Sequence, residues 1–216
     1  MVLAGEIPDG KTQALVLRTA EMLRREGDRW KNIILASTSP RRRELLTLAG
    51  VKFEVLALNV DESVPEGTPP EDAVEMTARK KAMAIAERHG RSIVIGADTV
   101  VVCDGKILGK PKSKKEAVEM LKMLSGREHL VMTGVCIAHG GETEIYHAVT
   151  KVKFYELSNK DINDYVNTGE PMDKAGAYGI QGRGCVLVES IEGDYFNIVG
   201  LPISSLCRKL KKLENK

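Results

Sequence analysis

Residues 35–46 read Leu-Ala-Ser-Thr-Ser-Pro-Arg-Arg-Arg-Glu-Leu-Leu. The pattern is a strand end, a tight serine-rich turn and the start of a helix. Ser39 suits the N-cap and Pro40 the first helical position. Arg41, Arg42 and Arg43 then fall in the first turn. A helix N-terminus already carries partial positive charge, so cations there raise the local potential rather than lower it. Either the arginines form a solvated basic turn or an anion sits on them. Free backbone N–H groups, the hydroxyls of Ser37 and Ser39 and several guanidiniums make a phosphate receptor. The strand before and the helix after favour that second reading.

Four further clusters carry chemistry. Asp98, in Gly96-Ala97-Asp98-Thr99, lies between the apolar runs Ile93–Ile95 and Val100–Val102. An acid there is costly to bury unless paired or metal-bound. Asp98 is either a turn residue capping a bulge or a metal-ligating or base-like carboxylate, and the small residues before it leave room for a ligand. Lys110 sits between Gly109 and Pro111, after the hairpin signal Asp104-Gly105. A fixed lysine beside a carboxylate and arginines suits a phosphate, whereas a lone loop lysine is usually solvated. Lys81 shares a helix face with Val74, Ala78 and Ile85. It either snorkels at the core edge or reaches into a cleft. The loop acids Asp61 and Glu62 either face solvent or let Glu62 join Asp98 around Mg²⁺, which takes one or two carboxylates plus substrate phosphates.

Other chemistries find no support. His89, His129, His139 and His147 lie away from any nucleophile motif. There is no Ser-His-Asp or Cys-His arrangement, no phosphate-binding G-x-x-x-x-G-K-[ST] loop and no dinucleotide fingerprint. Basic groups for phosphates and carboxylates for a divalent cation favour metal-assisted hydrolysis of a phosphoanhydride by water.

The elements that must position these groups follow from periodicity and punctuation. Residues 11–29 form an amphipathic helix, read as an appendage over 1–30. Asn32–Ala36 is a buried strand, and the helix begun at Ser39 stops at Gly50. Phe53–Leu58 is a second strand. A helix runs from Pro69-Pro70 to about His89. Strands follow at Ile93–Ile95 and Thr99–Cys103. A capping box at Ser113–Glu116 opens a helix that ends near Gly126. Leu130–Ala138 and Ile145–Leu157 are long strands joined at Gly140-Gly141, and Ser158 and Asp161 cap the next helix. Val186–Ile191 and Phe196–Val199 flank a turn, and Pro202 starts the last helix. The mixture, with several hairpin links, predicts an α/β fold on a mixed sheet. Residues 170–184 differ: four glycines, no periodicity, and Asp173, Lys174, Gln181 and Arg183 among them. A long loop of that kind in a compact domain is usually functional.

Bulk properties narrow the class. The chain has 216 residues, 43% hydrophobic and 29% charged, with a net charge of +2. That length fits one large domain or two lobes around a cleft. The near-zero charge gives no global field for nucleic acid, and 4% aromatics leave little for base stacking. Cys103, Cys136, Cys185 and Cys207 are widely spaced, which implies a reduced protein without a zinc site. No apolar run is long enough for a membrane span, and no signal peptide is evident. A cytoplasmic protein with no membrane and no nucleic-acid partner is expected.

The motifs resemble the Maf family of nucleoside triphosphate pyrophosphatases. The matching stretches are residues 35–42 (Leu-Ala-Ser-Thr-Ser-Pro-Arg-Arg), 79–82 (Arg-Lys-Lys-Ala), 96–99 (Gly-Ala-Asp-Thr), 109–111 (Gly-Lys-Pro), 124–126 (Leu-Ser-Gly) and the long run 169–182. The resemblance covers roughly residues 32–210 and leaves the first 30 outside, so 31–216 is taken as the Maf-like domain. It implies an elongated mixed sheet flanked by helices, two lobes around a central cleft, and frequent homodimers. It implies hydrolysis of a nucleoside triphosphate to the monophosphate and pyrophosphate with Mg or Mn. Asp98 matches the acid that orients or deprotonates water, and Glu62 a second acid near the metal. Ser37, Arg41, Arg42, Lys81 and Lys110 match phosphate-handling positions; Arg41, Thr99 and Gln181 match positions tied to base selection. Arginine at position 41 and the Gly-Ile-Gln-Gly loop are similar to the subgroup acting on dTTP and UTP. Two alternatives stand beside it: a 7-methyl-GTP pyrophosphatase, and a nucleotide-binding regulator of septum formation without turnover.

Overall fold

A computed structural model describes residues 32–214. The expected N-terminal helix lies outside the described residues. Seven strands form one sheet: β1 (Ile33–Leu35), β2 (Glu54–Val55), β3 (Ile93–Cys103), β4 (Lys106–Leu108), β5 (Glu128–His139), β6 (Glu142–Phe154) and β7 (Val188–Glu192). Their order is β2-β1-β3-β5-β6-β7, with β4 added to β3. β1 runs parallel to β2 and β3, and the other pairs are antiparallel, so the sheet is mixed as expected. The helices are α1 (Pro40–Leu48), α2 (Pro70–Ala86), α3 (Lys114–Leu124), α4 (Asn159–Asn167), α5 (Tyr195–Val199) and α6 (Ile203–Glu214). None among the described residues is long and apolar enough to cross a membrane.

Three local expectations change. The strand expected over 53–58 shrinks to Glu54–Val55 at the sheet edge. The two runs around Asp98 are one continuous strand, because β5 pairs with β3 all the way from Val94 to Val102. Asp98 is therefore no turn residue; it lies mid-strand opposite Gly134. The box at Ser113 is half formed: Ser113 accepts from the Glu116 N–H, but the Glu116 carboxylate takes the N–H of Lys112 instead. The Asp104-Gly105 hairpin holds, with φ of +49° and +73° at the two turn residues.

Side-chain alternation along β3 divides the interior. Ile93, Ile95 and Ala97 join a core with Leu45 and Leu46 of α1, Phe196 of α5 and Leu206 of α6. Val101 and Cys103, farther along the same face, join a second core with Leu121 of α3, Ile162 of α4 and Phe154. These cores are the two lobes, and Thr99 falls between them. The opposite face of β3 is covered by α2, through Val74, Ala78 and Ala82.

The sheet also has a gap. β1 pairs with residues 93–95 of β3, and β4 pairs with 101–103 along the same edge. Between them Gly96–Val100 has no strand neighbour on that side among the described residues. A cleft of about 800 Å³ opens over this stretch.

Candidate active site

The ten residues given a catalytic, metal or substrate role line this cleft: Ser37, Ser39, Arg41 and Arg42 from the turn into α1; Glu62; Lys81; Asp98 and Thr99; Lys110; and Gln181, whereas Arg43, Asp61 and Arg183 do not. The topology brings them together from segments that are remote in sequence.

The first wall carries charge. Asp98 points to the α2 face of β3, where Lys81 meets it. The Lys81 Nζ donates to Asp98 Oδ1 at 2.8 Å and lies 2.9 Å from Glu62 Oε2. The Lys81 and Asp98 side chains are only 15% and 18% exposed, while Glu62 is 56% exposed at the rim. A lysine on an apolar stripe has thus reached into the cleft. Two glycines make that possible. A Cβ on Gly96 would stand 2.3 Å from the Ala78 carbonyl oxygen, and one on Gly134 2.4 Å from the backbone of Val74. The small residue before Asp98 therefore admits the helix backbone rather than a ligand, and α2 sits close enough for Lys81 to span to the strand. The neighbouring acids divide: Asp61 binds the N–H and hydroxyl of Ser63, while Lys80 anchors the same loop through the carbonyls of Asp61 and Ser63. Glu62 is left to face the cleft.

The second wall is a hydrogen-bonded frame around Arg42. This side chain lies on the buried face of α1 with Leu45 and Leu46 and is 8% exposed. Its Nε donates to the Gly200 carbonyl at 2.8 Å. Nη1 donates to the Ala97 carbonyl at 2.8 Å and to Ser37 Oγ at 3.2 Å. Nη2 donates to Thr99 Oγ1 at 3.0 Å. The Ala97 carbonyl belongs to the unpaired edge of β3, so the guanidinium does there what a strand would do elsewhere. Burial lowers the Arg42 pKa from its ordinary value, partly offset by Asp98. At most one N–H of this arginine is left for the cleft. Arg43 is exposed, as the helix step from Arg42 implies.

Ser39 occupies the N-cap, but its side chain caps nothing. The turn is held instead by Ser37, whose oxygen accepts from the Ser39 N–H at 3.2 Å and from Arg42. The first-turn N–H groups of α1 thus lack a side-chain cap, at the edge of the cleft.

The glycine-rich segment forms the opposing rim. Its three short 3-10 turns, Glu170–Asp173, Ala175–Ala177 and Gly182–Leu187, pack against the second lobe. Arg41 reaches across to Asp173 Oδ2 at 3.3 Å, and Lys174 holds the other Asp173 oxygen at 2.7 Å and the Glu170 carbonyl at 2.6 Å. Burial pushes the Asp173 carboxyl up, but Lys174 and Arg41 outweigh it and hold the group below its usual range. Gln181 sits just before the last of these turns. Lys110 is exposed beside Gly109, whose carbonyl accepts from the Gly176 N–H.

Thr133 and Asn197, both fully buried, close the frame and were not among the residues expected. A threonine inside an apolar strand gives no signal by itself. Only the register of β3 on β5 sets Thr99 opposite Thr133.

The model of the family described as Maf-like protein matches residues 32–213. A protein of Geobacillus sp. (strain WCH70) named dTTP/UTP pyrophosphatase is 54% identical over 183 residues, covering 85% of this chain and 98% of that protein. One of the same name from Clostridioides difficile (strain 630) is also 54% identical, over 84% of this chain and 94% of that protein. A third, from Bacillus cereus (strain ATCC 10987 / NRS 248), is 50% identical over 88% and 94%. The structure of the Staphylococcus aureus Ham1 protein overlays at a TM-score of 0.41 and 18% identity, over 57% of this chain and 72% of that one. With the family model matched along the whole described domain and relatives at half identity, this chain belongs to the Maf family.

Proposed function

We propose that this protein hydrolyses dTTP and UTP, and modified pyrimidine nucleotides of the same shape, to the monophosphate and pyrophosphate. One observation carries the reading: Lys81 Nζ sits between Asp98 and Glu62, at 2.8 and 2.9 Å, in the cleft that the Ser-Pro-Arg turn borders. The names of the relatives at 50–54% identity support the same substrates.

The residues fit a divalent cation. Two carboxylates on one lysine carry more negative charge than the lysine cancels, and Mg²⁺ takes one or two carboxylates with substrate phosphates. Glu62 and Asp98 would hold Mg or Mn, and the bound ion would neutralise charge on the phosphates. Asp98 accepts a proton from the attacking water as the α–β anhydride breaks. Lys81 holds Asp98 in place and lies beside the developing charge. The uncapped start of α1, with Ser39 and Lys110, grips the phosphate chain. Arg41 and Gln181, on opposite rims, face the base; the Gln181 amide offers both a donor and an acceptor to a pyrimidine edge. Residues 31–216 make up this catalytic unit, working in the cytoplasm as a homodimer without nucleic-acid or membrane partners.

Incubation with dTTP, UTP, CTP and 7-methyl-GTP plus Mg²⁺ or Mn²⁺ tests the reading. Pyrophosphate and the pyrimidine monophosphate are the expected products, and a chelator abolishes them. Release of inorganic phosphate would overturn the proposed bond cleavage. Binding without turnover would make the protein a nucleotide sensor.

A further inference from the structure

The frame around Arg42 has a direction. Each hydroxyl has one hydrogen to donate. Thr133 Oγ1 donates to the Asn197 carbonyl at 3.0 Å. The 2.9 Å contact between Thr99 and Thr133 must then be donated by Thr99. Thr99 also accepts from Arg42 Nη2 at 3.0 Å. The protons therefore point one way, from Arg42 to Thr99 to Thr133 to the Asn197 carbonyl. The Gly200 N–H reaches that same carbonyl at 3.0 Å, and Arg42 Nε holds the Gly200 carbonyl, so the ring closes on itself.

This fixes what Thr99 can show a ligand. Its only hydrogen is engaged and one lone pair is taken, so the oxygen has a single lone pair left. Thr99 lines the cleft and is partly exposed there, whereas Thr133 behind it is fully buried. A group that meets Thr99 must be a donor. The N3–H of uracil or thymine is one; N3 of cytosine is a bare acceptor.

We propose that Thr133 is a positioning residue for base choice: by taking the Thr99 proton it locks Thr99 as an acceptor, which selects an imide N–H and rejects cytosine. The inference rests on the pyrimidine triphosphatase reading above. It adds a residue that never touches the substrate, and it explains why two threonines stand face to face in the seam between the lobes.

Thr133→Val keeps the shape of the side chain and removes the acceptor. The Asn197 main-chain carbonyl keeps its Gly200 donor, so the substitution leaves that acceptor paired. The Thr99 hydrogen is then released to the cleft and can be donated to cytosine N3. The ratio of kcat/KM for UTP over CTP should fall about tenfold, the scale of one hydrogen bond. Thr133→Ser should keep the wild-type ratio. A second arm needs no variant: 3-methyl-UTP, which lacks the N3 hydrogen, should be a wild-type substrate at least about tenfold poorer than UTP. Calorimetric binding of UMP and CMP runs in parallel. If neither triphosphate is turned over, the hydrolase reading fails while the binding ratio still tests Thr133. An unchanged UTP/CTP preference in a folded Thr133→Val, or equal turnover of UTP and 3-methyl-UTP, overturns the proposal.

Discussion

The two walls of the cleft handle charge in opposite ways. On the α2 side, Lys81 bridges Asp98 and Glu62, and one of these acids stands more than half exposed at the rim. On the α1 side, Arg42 is buried and bonded to four protein acceptors. A group that must exchange protein partners for substrate or metal is held by few bonds. A group that fills a gap in a sheet is held by many. Conservative changes on the two walls should therefore separate chemistry from stability.

The largest effect is expected from Asp98→Asn. It removes the proton acceptor but keeps the shape, and Lys81 keeps Glu62 as a partner. Turnover should fall by about 10²–10⁴, with the melting temperature nearly unchanged and nucleotide binding retained. Turnover within a few-fold of wild type would remove Asp98 from the mechanism. Arg42→Lys should do the reverse in kind. A lysine has no planar fork to reach the Gly200 and Ala97 carbonyls and Thr99 together. Stability should drop by about 3 kcal/mol, or roughly 6–12 °C in Tm for a domain of this size, with turnover falling only as the folded fraction falls. A variant that melts like wild type would show that the frame is not structural.

The second lobe supplies a pH test of the same contrast. His129 is 2% exposed; its Nε2 meets the Tyr178 hydroxyl at 2.8 Å, and its Nδ1 has no hydrogen-bond partner among the described residues. Burial lowers its pKa from 6.5 to about 4. The unfolded chain takes up the proton near pH 6.5 and the folded one only near 4. Stability is thus full above 6.5 and falls as the pH drops toward 4, by about 3 kcal/mol in all. His129→Gln cannot titrate, so its stability should fall less over that interval in denaturant titrations at pH 7, 5.5 and 4. Equal losses in both proteins would show that His129 does not contribute.

Why some of this was legible in the chain and some was not follows from range. The Ser-Pro-Arg turn, the helix stripe carrying Lys81 and the two hairpins are local, and their spacing dictates them. The continuity of β3 through Asp98 is imposed by its pairing with β5, which no local pattern around Gly96 contains. The same glycine was legible as a place for close approach, but what approaches is α2. Arg41 and Arg42 look alike in sequence; one helical step puts the first at the rim and the second in the core. Thr133 and Asn197 were silent because their role exists only once Arg42 lies between the lobes.

The smallest effect sharpens the comparison at the rim. Asp173 ties Arg41 to the glycine-rich segment, but its side chain is 64% exposed. Its carboxyl is held below its usual range, so the tie is complete above the unfolded pKa near 3.8 and is lost only as the pH falls through the lower folded value. Activity near neutral pH should therefore show no titration from this group. Asp173→Asn leaves Arg41 without its ionic partner and free to swing. An exposed pair contributes about 1 kcal/mol or less, so kcat should hold while KM for UTP rises by about threefold. Salt screens such a pair, so the gap between variant and wild type should close in 1 M salt. A loss in kcat, or a gap that persists in salt, would place Asp173 with the buried frame instead of the exchangeable wall.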